Sequence, residues 1–259
     1  LMGMRFVLAA FLLAWFVPLP RGHFWTLCWI SFIAATLQYG LTFSGLALMA
    51  ATPAVLLVQS EVIFGVIIAA ILLGERPSLR QILGIVMASC GVVVILGAPA
   101  LEGQWLGIGL VLSGALVWAF GQVLIRRLDG ALGGFQLTAW IGVMAGPQML
   151  LASCLIDGNP LPAIQAAPIE AWLTVIYLGV VMTAIGYSAW YYVLARYPVP
   201  MVMPVLLLLP VAAIFGAVTM LGEVPDPMVL AGGMVVIFGV GVVVVEPACL
   251  LAWWRKKTG

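Results

Sequence analysis

The stretch LLGERPSLRQILGIVMASCGVVVIL, residues 72–96, is the key to the fold of this chain. It opens on a Gly74-Glu75 pair, carries Arg76, Pro77 and Arg80 near its start, and then runs apolar to its end through Gly84 and Gly91. About 20 apolar residues at a helical rise of about 1.5 Å cross a hydrocarbon layer of about 30 Å, so the run reads as a membrane-spanning helix entered from a charged surface. The same pattern returns 148 positions later, where Gly222-Glu223, Pro225, Gly232 and Gly239 match Gly74-Glu75, Pro77, Gly84 and Gly91. The register holds upstream too, with Tyr39 against Tyr187 and Ala47 against Ala195. A membrane unit has been duplicated.

Outward from that helix, apolar runs broken by charge, Pro and Gly predict nine spanning segments, at about residues 1–19, 24–50, 53–73, 79–96, 105–125, 135–155, 171–194, 199–221 and 228–245. No segment alternates polar and apolar residues with period two, which argues against a β-barrel. The 259 residues are 65% hydrophobic and 7% charged, against roughly 25% charged in soluble domains. Such a chain cannot cover a globular surface with polar groups, which excludes a water-soluble enzyme and a disordered regulator. A net charge of +1 without a basic patch excludes a nucleic-acid partner. Cys28, Cys90, Cys154 and Cys249 lie far apart with no CxxC pair or Cys/His cluster, so neither a disulfide framework nor a metal site is expected.

Charge placement predicts the orientation. If the segments alternate, Arg21, Arg76, Arg80, Arg126, Arg127, Arg196, Arg255, Lys256 and Lys257 fall on one side, while Glu102, Asp157, Glu170, Glu223 and Asp226 occupy the other. The positive-inside rule makes the basic side the cytoplasm, with Trp253 and Trp254 beside the terminal basic cluster as an interfacial anchor. The expected protein is a multi-pass protein of the inner (plasma) membrane with its C-terminus in the cytoplasm. Leu1 then starts outside. Segments one to four match six to nine, leaving the fifth without a partner, so a further helix before Leu1 is expected. The expected fold is all-α, an inverted five-plus-five helix repeat, divided into residues 1–104 (lacking its first helix) and 105–259. Inverted repeats recur in secondary transporters, whose substrate site lies near the bilayer midplane.

The carriers of a family resemblance are LMGMRFVLAAFLL from Leu1, the quoted stretch from Leu72, GALVWAFGQVLIRRL from Gly114, and IGYSAWYYVLARYPVPMVMPVLLLLPV from Ile185. Together they resemble the drug/metabolite transporter superfamily, in its ten-helix EamA-type branch, over essentially the whole chain. The resemblance implies export of small metabolites, commonly amino acids, through a central cavity that alternates access. In that family the Arg5-Phe6 pair opens the second helix.

Helix association in lipid relies on small residues, and Gly142/Gly146, Gly84/Ala88, Gly109/Ser113 and Gly179/Thr183 supply such pairs. Pro147 and Pro210 fall inside segments and predict kinks. Polar residues at membrane depth need a partner or a water-filled cavity, which makes them the candidate substrate-binding groups: Gln38, Tyr39, Gln59, Glu61, Trp118, Gln122, Tyr187, Trp190 and Tyr191. Trp118 and Gln122 are four apart and share a face, as do Tyr187 and Tyr191. Amides can satisfy both ammonium and carboxylate, while rings take apolar side chains and attract cations. The competing reading is that these rings only pack. Gln59 and Glu61 are two apart, about 200° around a helix, and cannot both face the cavity squarely. Arg5, the one basic residue off the cytoplasmic side, is expected either to anchor the outer interface by snorkelling or to face a vestibule as a carboxylate contact.

Glu61 lies eight residues after Pro53 and twelve before Leu73, roughly 12–18 Å of helical rise from either end. An unpaired carboxylate at that depth is costly. Glu61 is expected either to stay neutral and hydrogen-bond a neighbouring helix, or to face the cavity and couple a proton to transport. The expected function is a secondary exporter of amino acids or related small metabolites, with a multidrug exporter of amphipathic or cationic compounds as the alternative. An intramembrane enzyme would need a nucleophile with a base or a metal set, and no such arrangement is present. No cofactor is expected; the partners are a small-molecule substrate and the lipid bilayer.

Overall fold

The structure is a computed structural model that describes residues 2–49, 51–96, 104–156, 158, 161–221 and 226–245. Gly222, Glu223 and Pro225 of the second repeat, the acidic residues Glu102 and Asp157, Cys249 and the terminal Trp253–Lys257 cluster lie outside the described residues. The described chain is helical without strands. A shorter apolar helix, α1 (Met2–Phe16), precedes eight helices long and apolar enough to cross a membrane. These are α2 (Phe24–Leu46), α3 (Ala54–Leu72), α4 (Leu79–Leu96), α5 (Trp105–Arg127), α6 (Gly134–Leu155), α7 (Ile169–Leu194), α8 (Val199–Gly216) and α9 (Pro227–Val244). A five-residue helix, Leu161–Gln165, sits in the Pro-rich connection before α7 and was not expected. The protein is an all-α, multi-pass membrane protein. Its outward faces stay apolar, with Trp15 77% and Ile71 75% exposed, as lipid requires and water would not tolerate.

The helices gather into two compact units that cut across the sequence repeats: Leu1–Phe43 with Val117–Tyr197, and Ser44–Leu116 with Pro198–Gly259. In the first unit α1 runs antiparallel to α6. A methyl group at Gly142 would lie 2.9 Å from the Phe6 carbonyl oxygen, and one at Gly146 would lie 2.7 Å from Val7 Cγ2. Gly179 of α7 meets the other side of α1, where a methyl would stand 3.2 Å from the Arg5 carbonyl. Small residues on two neighbours therefore clamp the helix that carries Arg5. Within α2 and α7 the winding widens to a π-helix, over Phe32–Leu37 and Leu178–Tyr187. Under the 148-residue shift these stretches overlap, and each leads into its repeat's tyrosine, Tyr39 or Tyr187. Such stretches are rare and concentrate at functional sites.

In the second unit α4 and α9 touch backbone to backbone. Methyl groups at Gly84 and Gly91 would lie 2.7 Å from Gly239 O and 2.8 Å from Gly232 O. Gly84 corresponds to Gly232 and Gly91 to Gly239, so exchanging the repeats turns one contact into the other. This is what a two-fold relation between the two helices demands. The pair Gly109/Ser113 does not pack in this way, because nothing lies near Gly109 and the Ser113 hydroxyl donates to the Gly109 carbonyl at 2.7 Å. Gly74 ends α3 at φ +71°, a backbone conformation that a side chain disfavours. The turn aims Glu75 at the start of α8, where its carboxylate accepts the Val199 N–H at 2.6 Å and satisfies an orphan donor of the first turn. Ser78 and Gln81 then start α4 with reciprocal bonds, the Ser78 N–H donating to Gln81 Oε1 at 2.8 Å and the Gln81 N–H to Ser78 Oγ at 3.3 Å. In α8 the expected kink is a change of winding: a 3-10 stretch, Met203–Leu208, gives way to α-helix at Leu209 beside Pro210.

Candidate functional site

Most of the candidate residues lie in the first unit. Trp190 of α7 donates from its indole Nε1 to Gln122 Oε1 of α5 at 2.8 Å, and its ring lies 6.2 Å from that of Trp118. Gln122 is almost fully buried, so this bond satisfies an acceptor that would otherwise be costly. One residue further along α7, Tyr191 stacks on Tyr187 with centroids 5.6 Å apart. The Tyr187 hydroxyl meets the Tyr39 hydroxyl at 3.2 Å, so the two repeat-equivalent tyrosines bond to each other. Tyr39 in turn stacks on Phe43 at 5.8 Å. Gln38, beside it, donates from Nε2 to Thr42 Oγ1 at 3.1 Å and leaves its buried Oε1 without a partner.

Arg5 corrects the sequence expectation of snorkelling. It is only 5% exposed, and its guanidinium donates to the Tyr39 hydroxyl. The same group lies 5.0 Å from the Phe6 ring centroid and 4.8 Å from that of Tyr39. Its Nε has no hydrogen-bond partner.

Gln59 and Glu61 belong to the second unit, both buried, at the break between the helical stretches Ala51–Val58 and Ser60–Leu72. There the backbone turns through Gln59 N–H to Leu56 O at 3.2 Å, and the Ser60 hydroxyl donates to Leu57 O at 2.6 Å. Among the described residues nothing hydrogen-bonds the Glu61 carboxyl, and no group of three or more His, Cys, Asp and Glu converges in a metal-holding arrangement.

The EamA-like transporter family matches residues 1–97 and 105–245, nearly all of the chain. The chain belongs to this family. Its EamA-type character extends to named relatives. A "Probable amino-acid metabolite efflux pump" of Salmonella typhimurium is 29% identical over 248 residues, covering 92% of this chain and 83% of the relative. A protein of the same name from Escherichia coli is 28% identical with the same coverage. A "Probable terminal-alkyne amino-acid exporter" of Streptantibioticus cattleyicolor is 32% identical over 187 residues, 71% of this chain and 61% of that one. A solved crystal structure, 22% identical, aligns over 93% of this chain and 86% of its own length with a TM-score of 0.78, which shows the fold. An EamA-type protein is a transporter rather than an enzyme.

Two features of this EamA-type chain escaped the sequence reading. One is the polar knot on Gln148 of α6, whose Oε1 accepts from Thr36 Oγ1 at 3.0 Å, at the π-helical stretch of α2. Its signal was present, since Gln148 follows Pro147 inside an apolar helix, where an amide needs a partner. The other is the bond from Arg5 to the Tyr39 hydroxyl, for which periodicity gives no signal.

Proposed function

We propose that this transporter exports amino acids or related small metabolites by alternating access, in the inner (plasma) membrane with its C-terminus in the cytoplasm. The observation that carries the reading is the amide-and-ring cluster of the first unit, in which Gln122 and Trp190 bond at 2.8 Å beside Trp118 and the Tyr187–Tyr191 stack. An amide among rings suits a solute with polar ends and an apolar body. The names of the relatives from Salmonella typhimurium and Escherichia coli support the amino-acid class. The division into repeats at residues 1–104 and 105–259, each exchanging helices with the other's unit, fits a carrier that rocks between two states. Glu61 is the group that couples a proton to transport in this reading, since it is a buried carboxyl at membrane depth.

Proteoliposomes loaded with a panel of labelled amino acids, nucleosides and cationic dyes test the reading. Amino-acid flux supports it, flux of the dyes alone replaces it with the multidrug alternative, and no flux from folded protein removes both. An imposed pH gradient should drive wild-type flux and fail to drive that of Glu61→Gln. An unchanged pH response in that variant would make Glu61 a packing acid.

A further inference from the structure

We infer that Arg5, with the hydroxyls of Tyr39 and Tyr187, forms the subsite that holds a carboxylate of the transported solute, so that the solute class is one with an anionic end. The inference rests on the transport reading above and narrows it.

Charge makes the first argument. Arginine is a permanent cation, and one that is 5% exposed needs an anion or a dense set of acceptors to offset its lost hydration. Among the described residues no carboxylate pairs with Arg5. The described acids of its unit are Asp129, which is 3.9 Å from Arg126 and exposed in a turn, and Glu170, in the first turn of α7. What Arg5 does hold is neutral: a phenol oxygen and the faces of two rings. The rings offset part of the charge without accepting a hydrogen bond through an oxygen or nitrogen.

Hydrogen-bond accounting makes the second. A guanidinium offers five N–H groups in a fork that fits a carboxylate in two parallel bonds. Here one bond goes to Tyr39 and the Nε–H is buried without a partner. The tyrosine pair adds a donor. Whichever hydroxyl donates across the 3.2 Å contact, the other keeps its hydrogen for a third group. Both tyrosines are half-buried rather than sealed.

Position makes the third. Gly142 and Gly146 pack on one face of α1 at Phe6, Val7 and Ala10, and Gly179 packs on the other at the Arg5 carbonyl and Leu8, so the backbone that carries the cation is held by close packing. The stacked Tyr39–Phe43 pair continues from the same phenol and offers an apolar wall for the remainder of the solute. A cation at the anchor repels the cationic end of an amphipathic drug, which turns this subsite against the multidrug alternative.

The test uses the full chain purified in detergent, with phenylacetate and phenylacetamide as matched probes. Phenylacetate should raise the melting temperature at a concentration at least tenfold below that needed for phenylacetamide. Arg5→Gln should erase this preference, and Arg5→Lys, which keeps charge without the fork, should reduce it at least threefold. If Arg5→Gln does not fold, the wild-type preference and the Arg5→Lys value decide. Equal stabilisation by the two probes, stabilisation by neither, or a preference unchanged in either variant overturns the proposal. Flux of labelled leucine and phenylalanine in proteoliposomes separates the two claims: an Arg5-dependent carboxylate preference without amino-acid flux keeps this subsite and removes the amino-acid reading.

Discussion

The two units solve the same packing problem with different materials. In the second, α4 and α9 carry glycines on both faces of the seam, and backbone meets backbone at Gly84, Gly91, Gly232 and Gly239. In the first, Gly142 and Gly146 of α6 meet Phe6, Val7 and Ala10 of α1, and Gly3 of α1 meets the side chains of Met149 and Leu150, so each glycine of the seam faces a residue that keeps its side chain. Buried polar groups follow the same division: apart from Gln59 and Glu61, those of the described residues lie in the first unit. So do the unpartnered buried atoms, Arg5 Nε, Gln38 Oε1 and Ser188 Oγ. A glycine seam gains close contact and leaves no room for chemistry. The first unit, packed through side chains, keeps three buried polar atoms open to a further partner.

The contrast is broken most severely at the glycine seam. Gly239→Val places carbon 2.6 Å from Ala88 N and 2.8 Å from Gly84 O, neither of which can swing away. A loss of about 3 kcal/mol or more is expected, read as loss of the monodisperse peak in detergent chromatography. Gly233→Ala, on the same helix with nothing within 4 Å, should behave as wild type. If both variants fold equally, the seam is not the scaffold described.

A smaller effect is expected in the first unit. Trp190→Phe strips Gln122 of its donor and should cost about 1–3 kcal/mol, because a buried acceptor is left unpaired. Adding Gln122→Leu should recover most of that stability, since two apolar partners need no bond. Failure of the second change to restore the melting temperature would mean that packing, not the hydrogen bond, matters there.

Glu75→Ala should cost about 1 kcal/mol through the lost cap on Val199, measured as a lower melting temperature. Smallest is Ser113→Ala, expected within about 0.5 kcal/mol of wild type because Ser113 bonds only its own helix. A larger loss there would restore Gly109/Ser113 as a packing pair.

Much of the architecture is legible in the sequence. Long apolar runs decide spanning helices by themselves, so eight helices and α1 fall within a few residues of the expected segments. The shared face of Trp118 and Gln122 and that of Tyr187 and Tyr191 follow from helical spacing. Spacing cannot give a change of winding. The π-helical stretches, one ending two residues before Tyr39 and the other ending at Tyr187, rotate the helical residues beyond them, and their sequences FIAATL and LGVVMTAIGY carry no common signal. Spacing could not choose between the two expectations for Arg5 either: a basic residue near a segment's start normally reaches the interface, and its burial depends on tertiary packing around α1. The division into units was illegible too, since it joins helices from both repeats.

The most direct test is flux of labelled amino acids from proteoliposomes carrying wild type, Gly233→Ala, or the Trp190→Phe/Gln122→Leu pair. The account predicts equal flux for the first two and flux at least tenfold slower for the third, at matched amounts of folded protein and matched melting temperature. Equal flux in all three would contradict the placement of the solute site in the first unit.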